Sequence, residues 1–415
     1  MKFIADFHLH SKYSRATSRE TDLENIDKWA KIKGVKVITC GDFTHPQWFK
    51  ELQTKLVPKE PGLFQLKGSD SGVRFLLTTE ISCIYTKGGK VRKMHNVVFA
   101  PSLEVVEKLN EKLGAIGNIR SDGRPILGLD SKELLKIVLD VSSDCLFMPA
   151  HCLTPWFSIF GSKSGFDSIE ECFEDYAKYI YAIESGLSAD PSMIWRIPDG
   201  RRVAILSNSD AHSPEKIGRE ANVFDTDLDY FSIIKAIKEK DPEKFLYTIE
   251  FYPQEGKYFN DGDRLCNISL NAKESMEYRE LCPACGKRLV IGVMNRVSKL
   301  ADKEEGFIPE NAIPFKSIVP LKTIIAEALG VGEVSKKVKA SYENMVNSFP
   351  SEFEILLDVP IDDLKKVAGE HLAEGIRRAR AGEVNITPGF DGVFGKVKIF
   401  SPAEKQEAIR QQKLL

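Results

Sequence analysis

The sequence carries almost no net charge: 58 Lys and Arg stand against 60 Asp and Glu, a formal charge of -2 with 28% of residues charged. No global basic field advertises nucleic acid, so contact with a polyanion has to come from local patches. Nowhere do eighteen apolar residues run together, and no Lys/Arg-plus-apolar stretch opens the chain. These absences lead to the expectation of a cytoplasmic protein with neither a membrane span nor a cleaved signal. The eight cysteines are scattered, with only Cys282 and Cys285 closely spaced. A disulfide framework is therefore not expected, and one metal knuckle is. Repeats and low-complexity tracts are missing too. Histidines are few, seven in all, yet six of them lie before residue 213. That asymmetry places the chemistry in the N-terminal half.

At 415 residues the chain exceeds one ordinary core and predicts a barrel with appendages. Its first strand alternates so that Ile4, Asp6, His8 and His10 share one face and Phe3, Ala5, Phe7 and Leu9 the other. Two neutral imidazoles and a carboxylate at a strand end make half a site for a borderline metal such as zinc or manganese. Thr21 with Glu24 reads as a capping box opening a helix that Gly34 stops, and Val35 to Cys40 reads as the next strand, ending in Gly41-Asp42-Phe43-Thr44-His45. Pro46 to Gly72 is a long, Pro- and Gly-broken excursion, expected to serve substrate at a barrel mouth.

The pattern then repeats. Arg74 to Thr79 leads to Glu80; His95 opens an apolar run; Cys145 to Ala150 leads to His151; Tyr179 to Ile183 leads to Glu184; Val203 to Leu206 leads to Asp210 and His212. Helical patterns capped by Ser131 and by Asp167 with Glu170 separate several runs. Strand after strand ends in a carboxylate or histidine, the layout of a (β/α) barrel with its site at the C-terminal ends of the strands. A Phe231, Ile233, Ile234, Ile237 helix is expected to close the barrel.

Beyond it, Cys266 and Cys282-x-x-Cys285 supply three thiolates at zinc-ribbon spacing, and Asp263 is the first choice for the fourth ligand of a structural zinc. From Pro320 the chain turns helical, with helix, Gly330-Val331-Gly332 and a second helix carrying Lys336 and Lys337. This has the form of a helix-hairpin-helix module, whose glycines let backbone N–H groups approach a phosphate, or of a plain two-helix hairpin. Arg377, Arg378 and Arg380, and the segment Pro388 to Lys398, interleave cations, aromatics and glycines in a way suited to a nucleic-acid strand, or to a terminal hairpin packed on its neighbour.

Asp6-x-His8-x-His10, Glu80, His95, Ala150-His151 and Asp210-x-His212 together resemble the polymerase and histidinol phosphatase (PHP) family of metal-dependent hydrolases. The resemblance implies an α/β fold, a distorted (β/α) barrel in which Glu80 bridges two metals, with His8, His10 and Asp210 on one and His95 and His151 on the other. A carboxylate shared by two cations about 4 Å apart is what two-metal attack on phosphorus requires. The family's next histidine is Ala16 here and its Asp-His pair is Asp42 and His45, so a third metal would need Asp42 or His45 with His212. The cofactors expected are two or three divalent cations (Zn, Mn or Mg) in the barrel and one structural Zn.

Gly41 to Pro46, Thr154 to Phe166 and Ser209 to Ser213, with the order barrel, knuckle, helical tail, resemble the endonuclease Q family over essentially the whole chain. The resemblance implies a barrel over 1–252, a zinc-binding domain over 253–308 and a DNA-binding helical domain over 309–415. It further implies hydrolysis of the phosphodiester 5′ to a deaminated base (hypoxanthine, uracil, xanthine) or an abasic site in damaged DNA, by a protein expected to be monomeric. Selecting a base by its edge needs it extruded into a pocket; Lys12, Tyr13, Ser14 and Arg15, with Trp156, Phe157, Phe160 and Lys163, are expected to rim the mouth. Two other functions are weighed. A phosphoesterase for a small phosphorylated metabolite leaves knuckle and tail unused, and an inactive nucleic-acid-binding scaffold leaves the intact ligand set unused.

Overall fold

The computed structural model describes residues 1–401 and Glu404. Strand β1 (Lys2–Asp6) and strand β2 (Val37–Thr39) pair in parallel, as the strand-helix-strand pattern requires. Between them the helix Leu23–Lys33 buries Leu23, Ile26 and Ala30 and ends at Gly34, whose φ of 88° is the left-handed C-cap conformation. Its N-cap is Asp22, which accepts the Asn25 amide, rather than Thr21. The same one-residue displacement recurs where Asp130 and Ser168 cap helices in place of Ser131 and Asp167. Each pair holds two competent caps, and the packing of the first turn decides between them.

β2 pairs in parallel with β3 (Arg74–Lys87), and here the expectation of strands ending at the site is corrected. β3 runs on past Glu80, turns through Gly88 and Gly89, both at positive φ, and returns antiparallel as β4 (Lys90–Ala100). Glu80 and His95 therefore stand in mid-strand. Ser82 opposes His95 and Glu80 opposes Val97, so the two functional side chains are diagonal neighbours on one face.

β5 (Leu146–Pro149) continues antiparallel to β4. The Cys152 amide, donating to the Glu184 carbonyl at 2.8 Å, leads on to β6 (Ala182–Glu184), which pairs in parallel with β7 (Ala204–Leu206). The chain after β7 closes the ring on β1: the Phe7 amide donates to the Asn208 side chain at 2.9 Å and the His10 amide to the Ala211 carbonyl at 3.0 Å. The result is a distorted barrel in which an antiparallel section replaces part of the (β/α) alternation. Outside it, β8 (Ala221–Asp225) lies antiparallel to β1 and β9 (Phe245–Glu250) antiparallel to β8.

Phe7, Val37, Leu76, Val97, Phe99, Met148 and Leu206 fill the barrel, and Tyr230, Ile233, Ile234 and Ile237 of the helix Tyr230–Glu239 close it. The excursion expected between residues 46 and 72 is not an open loop. It is the helix Pro46–Lys55 and two short strands added beside β3, with Trp48, Leu52 and Leu63 buried. Past the knuckle, the strand Phe315–Ser317 pairs in parallel with β9, so the helical region Leu321–Arg380 is joined to the barrel through its sheet. Among the described residues no helix is long and apolar enough to cross a membrane.

Glu250 ends β9 fully buried, with the Thr248 and Ser185 hydroxyls donating to it at 2.5 and 3.1 Å. Burial pushes its carboxyl up to about 8 from 4.5. The fold therefore prefers the protonated acid, a preference fully present below pH 4.5 and lost as pH rises through 8. Glu250→Gln is expected to raise the melting temperature at pH 8 by more than at pH 5; an equal gain at both, measured by calorimetry, would contradict the buried-proton assignment.

Candidate metal centre

His8 and His10 leave the end of β1 fully buried, and their outer nitrogens converge on two carboxylates. His10 Nε2 is 3.2 Å from both Glu80 Oε2 and Asp210 Oδ1, and His8 Nε2 is 3.7 Å from the same two atoms. On the other side, Glu80 Oε1 is 2.8 Å from His95 Nδ1 and 3.2 Å from His151 Nε2, which are themselves 3.2 Å apart. Two ligand groups result, His8–His10–Asp210 and Glu80–His95–His151, each with its donor atoms within 4.8 Å of one another. Glu80 places one oxygen in each direction.

His8 Nε2, His10 Nε2 and Asp210 Oδ1 are buried without a hydrogen-bond partner. Buried polar atoms are almost always satisfied, so three orphans aimed at one point fit a cation that none of these side chains replaces. The inner nitrogens are fixed. His8 Nδ1 meets both oxygens of Glu184 at 3.0 and 3.1 Å, and His10 Nδ1 meets Asp42 Oδ1 at 3.0 Å. A carboxylate behind an imidazole sets its tautomer and frees Nε2 for a metal.

Backbone strain collects at the same points. Asp42, His151 and Asp210 have φ of 48°, 29° and 44°, where residues with a Cβ are rarely found. Each is restrained from outside: Asp42 accepts from the Ser11 amide at 2.6 Å, the His151 amide donates to Glu184 Oε2 at 2.9 Å, and Arg219 Nε donates to the Ser209 carbonyl at 2.7 Å beside Asp210.

Charge is organised for cations. Burial works against ionising His8, but Glu184, Glu80 and Asp210 outweigh it and hold the ring well above its ordinary value. Burial likewise opposes the charge on Glu80, yet neighbouring positive charge, that of His95 where it is protonated and that of Arg124 and His8, holds it well below the carboxylate range. Burial lowers His95 to about 4, so that ring is a neutral donor at physiological pH.

The other expected site residues stand around this centre. Asp42 lies behind the centre: one oxygen holds His10 and the other accepts from the Ser11 amide and hydroxyl and from the Ser14 hydroxyl. His45 stacks on Tyr13 at 4.4 Å, and His212 turns Nδ1 to the Asp210 carbonyl at 2.9 Å. Among the described residues, Asp42, His45 and His212 fall outside the two barrel ligand groups. Ser14 donates to Asp42, Lys12 and Tyr13 both bond Glu51, and Phe160 is core. Arg15 is held by Asp122 at 3.3 Å; Trp156 and Lys163 are exposed, and Phe157 lies 4.5 Å from the His95 ring. Two residues outside the expected set belong here. Glu184 was visible as a carboxylate ending a strand; Arg124, 3.0 Å from Glu80 Oε2, comes from a loop with no local signal.

The second cluster matches its expected members: Asp263, Cys266, Cys282 and Cys285 bring their ligand atoms within 4.8 Å of one another, Asp263 Oδ2 lying 3.3 Å from Cys285 Sγ. In the tail, Gly330 caps Leu321–Leu329 at φ 62°, and Lys336 and Lys337 open the next helix exposed to solvent. The arginines Arg377, Arg378 and Arg380 already have partners within the chain. They bond Glu374, Glu383 and Glu404 and the Ile355 carbonyl.

Because Glu184 fixes both the His8 tautomer and the His151 backbone, Glu184→Ala is expected to weaken barrel metal binding roughly 10- to 100-fold while sparing the cysteine cluster. Metal content after dialysis against graded free metal measures both sites; unchanged barrel occupancy would show that Glu184 positions nothing.

Two family models match, one described as PHP-associated over residues 195–242 and one as the MJ0043 C-terminal domain over residues 320–383. An uncharacterized protein of Methanocaldococcus jannaschii is 33% identical over 270 residues, which are 63% of this chain and 33% of that protein, so the chain spans about a third of that relative. The uncharacterized protein YqxK of Bacillus subtilis is 29% identical over 96% of this chain and 99% of its own length. The crystal structure of the lesion-specific endonuclease PfuEndoQ from Pyrococcus furiosus matches with a TM-score of 0.86 and 32% identity, covering 100% of this chain and 99% of that one. An endonuclease Q complexed with a 27-mer duplex carrying an abasic lesion at the active site matches at 0.84 and 33%, over 98% of each chain. With its PHP-type barrel, its cysteine cluster and its helical tail all inside that match, the chain belongs to the endonuclease Q family.

Proposed function

We propose that this protein is a DNA repair endonuclease that hydrolyses the phosphodiester 5′ to a deaminated base or an abasic site, with the damaged nucleotide extruded into the barrel mouth. The observation that carries the reading is the full-length likeness to an endonuclease Q bound to an abasic-lesion duplex. The two ligand groups joined by Glu80 supply matching chemistry. In this reading residues 1–252 cleave, 253–308 hold a structural zinc through Asp263, Cys266, Cys282 and Cys285, and 309–415 contribute DNA contacts.

His8, His10 and Asp210 would hold one divalent cation (Zn, Mn or Mg) and His95 and His151 a second, with Glu80 shared. Such a pair, when bound, supplies an activated water and neutralises charge developing on a phosphodiester. The chain's own residues do the rest. Glu184 and Asp42 keep the imidazoles in the ligating tautomer, and the guanidinium of Arg124 offers a fixed positive charge beside Glu80 where a phosphate oxygen would arrive. Phe157, Trp156 and Lys163, with Lys12, Tyr13, Ser14 and Arg15 across from them, are the residues expected to meet an extruded nucleotide.

The test is incubation with 5′-labelled duplexes bearing one uracil, hypoxanthine or abasic site. The expected product is a single break on the 5′ side of the lesion, lost in Asp210→Asn while DNA affinity stays within a few fold. Cleavage of a small phosphate monoester with no nicked duplex would replace this reading by that of a metabolite phosphoesterase.

If the exposed Lys336 and Lys337 touch phosphates, replacing both by Ala is expected to flatten the logarithmic salt dependence of duplex binding by roughly two units, about one per lost contact. An unaltered slope would remove this helix start from the DNA interface.

A further inference from the structure

The segment Pro388 to Lys398 is built as a braced mount for two exposed apolar side chains. Phe390 and Val393 exchange both backbone hydrogen bonds, at 3.0 and 2.7 Å, around Asp391 and Gly392 at φ of 41° and 83°. That is a type I′ turn. Its base is pinned to the stretch before the knuckle: the amides of Gly389, Gly392 and Gly395 donate to the carbonyls of Gln254, Lys257 and Glu255 at 2.8, 3.0 and 3.1 Å. The approach is so close that a Cβ at Gly395 would lie 2.0 Å from the Gln254 oxygen. On this braced loop Val393 is 41% and Phe394 64% exposed.

Apolar side chains held in water on an immobile turn gain nothing for the fold, and exposed apolar groups ringed by polar ones mark interaction sites. The ring here is basic: Lys257 Nζ lies 4.5 Å from the Phe394 ring centre, and Lys396 and Lys398 are exposed beside it. Next to Lys257, Tyr258 packs on Trp156 at 6.2 Å, and next to Trp156, Phe157 packs on His95 at 4.5 Å. A line of aromatic contacts thus connects the loop to the metal centre.

We propose that Val393 and Phe394 form a wedge that enters the duplex beside the lesion and stacks where the extruded nucleotide stood, with the neighbouring lysines on the flanking phosphates. The proposal rests on the lesion-endonuclease reading above. Apolar side chains inserted between base steps unstack and kink DNA, and aromatic stacking on a base tolerates any sequence, which suits recognition of chemically different lesions. Rigidity matters because a mobile loop would lose conformational freedom on insertion.

The test uses the full-length protein, Phe394→Ala and Phe394→Trp, with an abasic duplex carrying 2-aminopurine opposite the lesion, and the same lesion strand left single. Wild type and Phe394→Trp are expected to raise 2-aminopurine fluorescence on binding; Phe394→Ala is expected to lose that rise and to cleave the duplex roughly tenfold more slowly, with single-strand cleavage unchanged. An equal fluorescence rise in all three proteins, or an equal loss on both substrates, overturns the wedge while leaving the nuclease reading intact. A wild-type protein that neither binds nor cuts the abasic duplex overturns both.

Discussion

Glu80 has to reach in two directions at once, and the barrel is bent around that demand. A carboxylate at a strand end would face one cluster. Standing in mid-strand on the β3–β4 hairpin, Glu80 meets His95 diagonally across its own sheet and the imidazoles of β1 and β5 across the mouth. The antiparallel section of the barrel is thus the geometric condition for a shared carboxylate. Everything around Glu80 is arranged to keep it ionised while fully buried, a state whose desolvation cost is repaid only by convergent positive charge.

That centre is held by a layer with its own constraints. Glu184 bonds the His8 ring, the His151 amide and the Asn208 side chain, while Asn208 also accepts the Phe7 amide. One buried carboxylate therefore ties the strand that carries two candidate ligands to the strained residue that carries another. The left-handed backbone at Asp42, His151 and Asp210 is affordable because these bonds over-determine it. Preorganisation of this kind lets cations enter a site that does not have to rearrange to receive them.

The regions outside the barrel are joined to it and not merely appended. The strand Phe315–Ser317 extends the sheet, and Arg296 donates to the Phe160 and Phe166 carbonyls of the mouth loop. The cysteine cluster and the Phe390–Val393 turn share the same short segment of backbone, residues 253 to 263. Residues that touch DNA in the proposed function are thereby referenced to the metal centre through packed structure.

The sequence by itself determined the strand-helix-strand opening, the closing helix at Tyr230, the cysteine cluster with Asp263 and the residues of the barrel centre, because alternation, caps and ligand spacing are local properties of the chain. Cap positions slipped by one residue because neighbouring caps are locally equivalent. What only the tertiary structure decided is which polar residues face a metal and which face another side chain. Asp42 and Asp210 look alike as carboxylates after apolar runs, yet Asp42 spends both oxygens on His10, Ser11 and Ser14 while Asp210 keeps one free. Arg124 and Glu184 join the site from positions far along the chain, and Arg377, Arg378 and Arg380 meet ion-pair and carbonyl partners brought together only when helices pack. A hydrogen bond saturates a polar atom, and its partner is chosen by three-dimensional proximity, which no local pattern records.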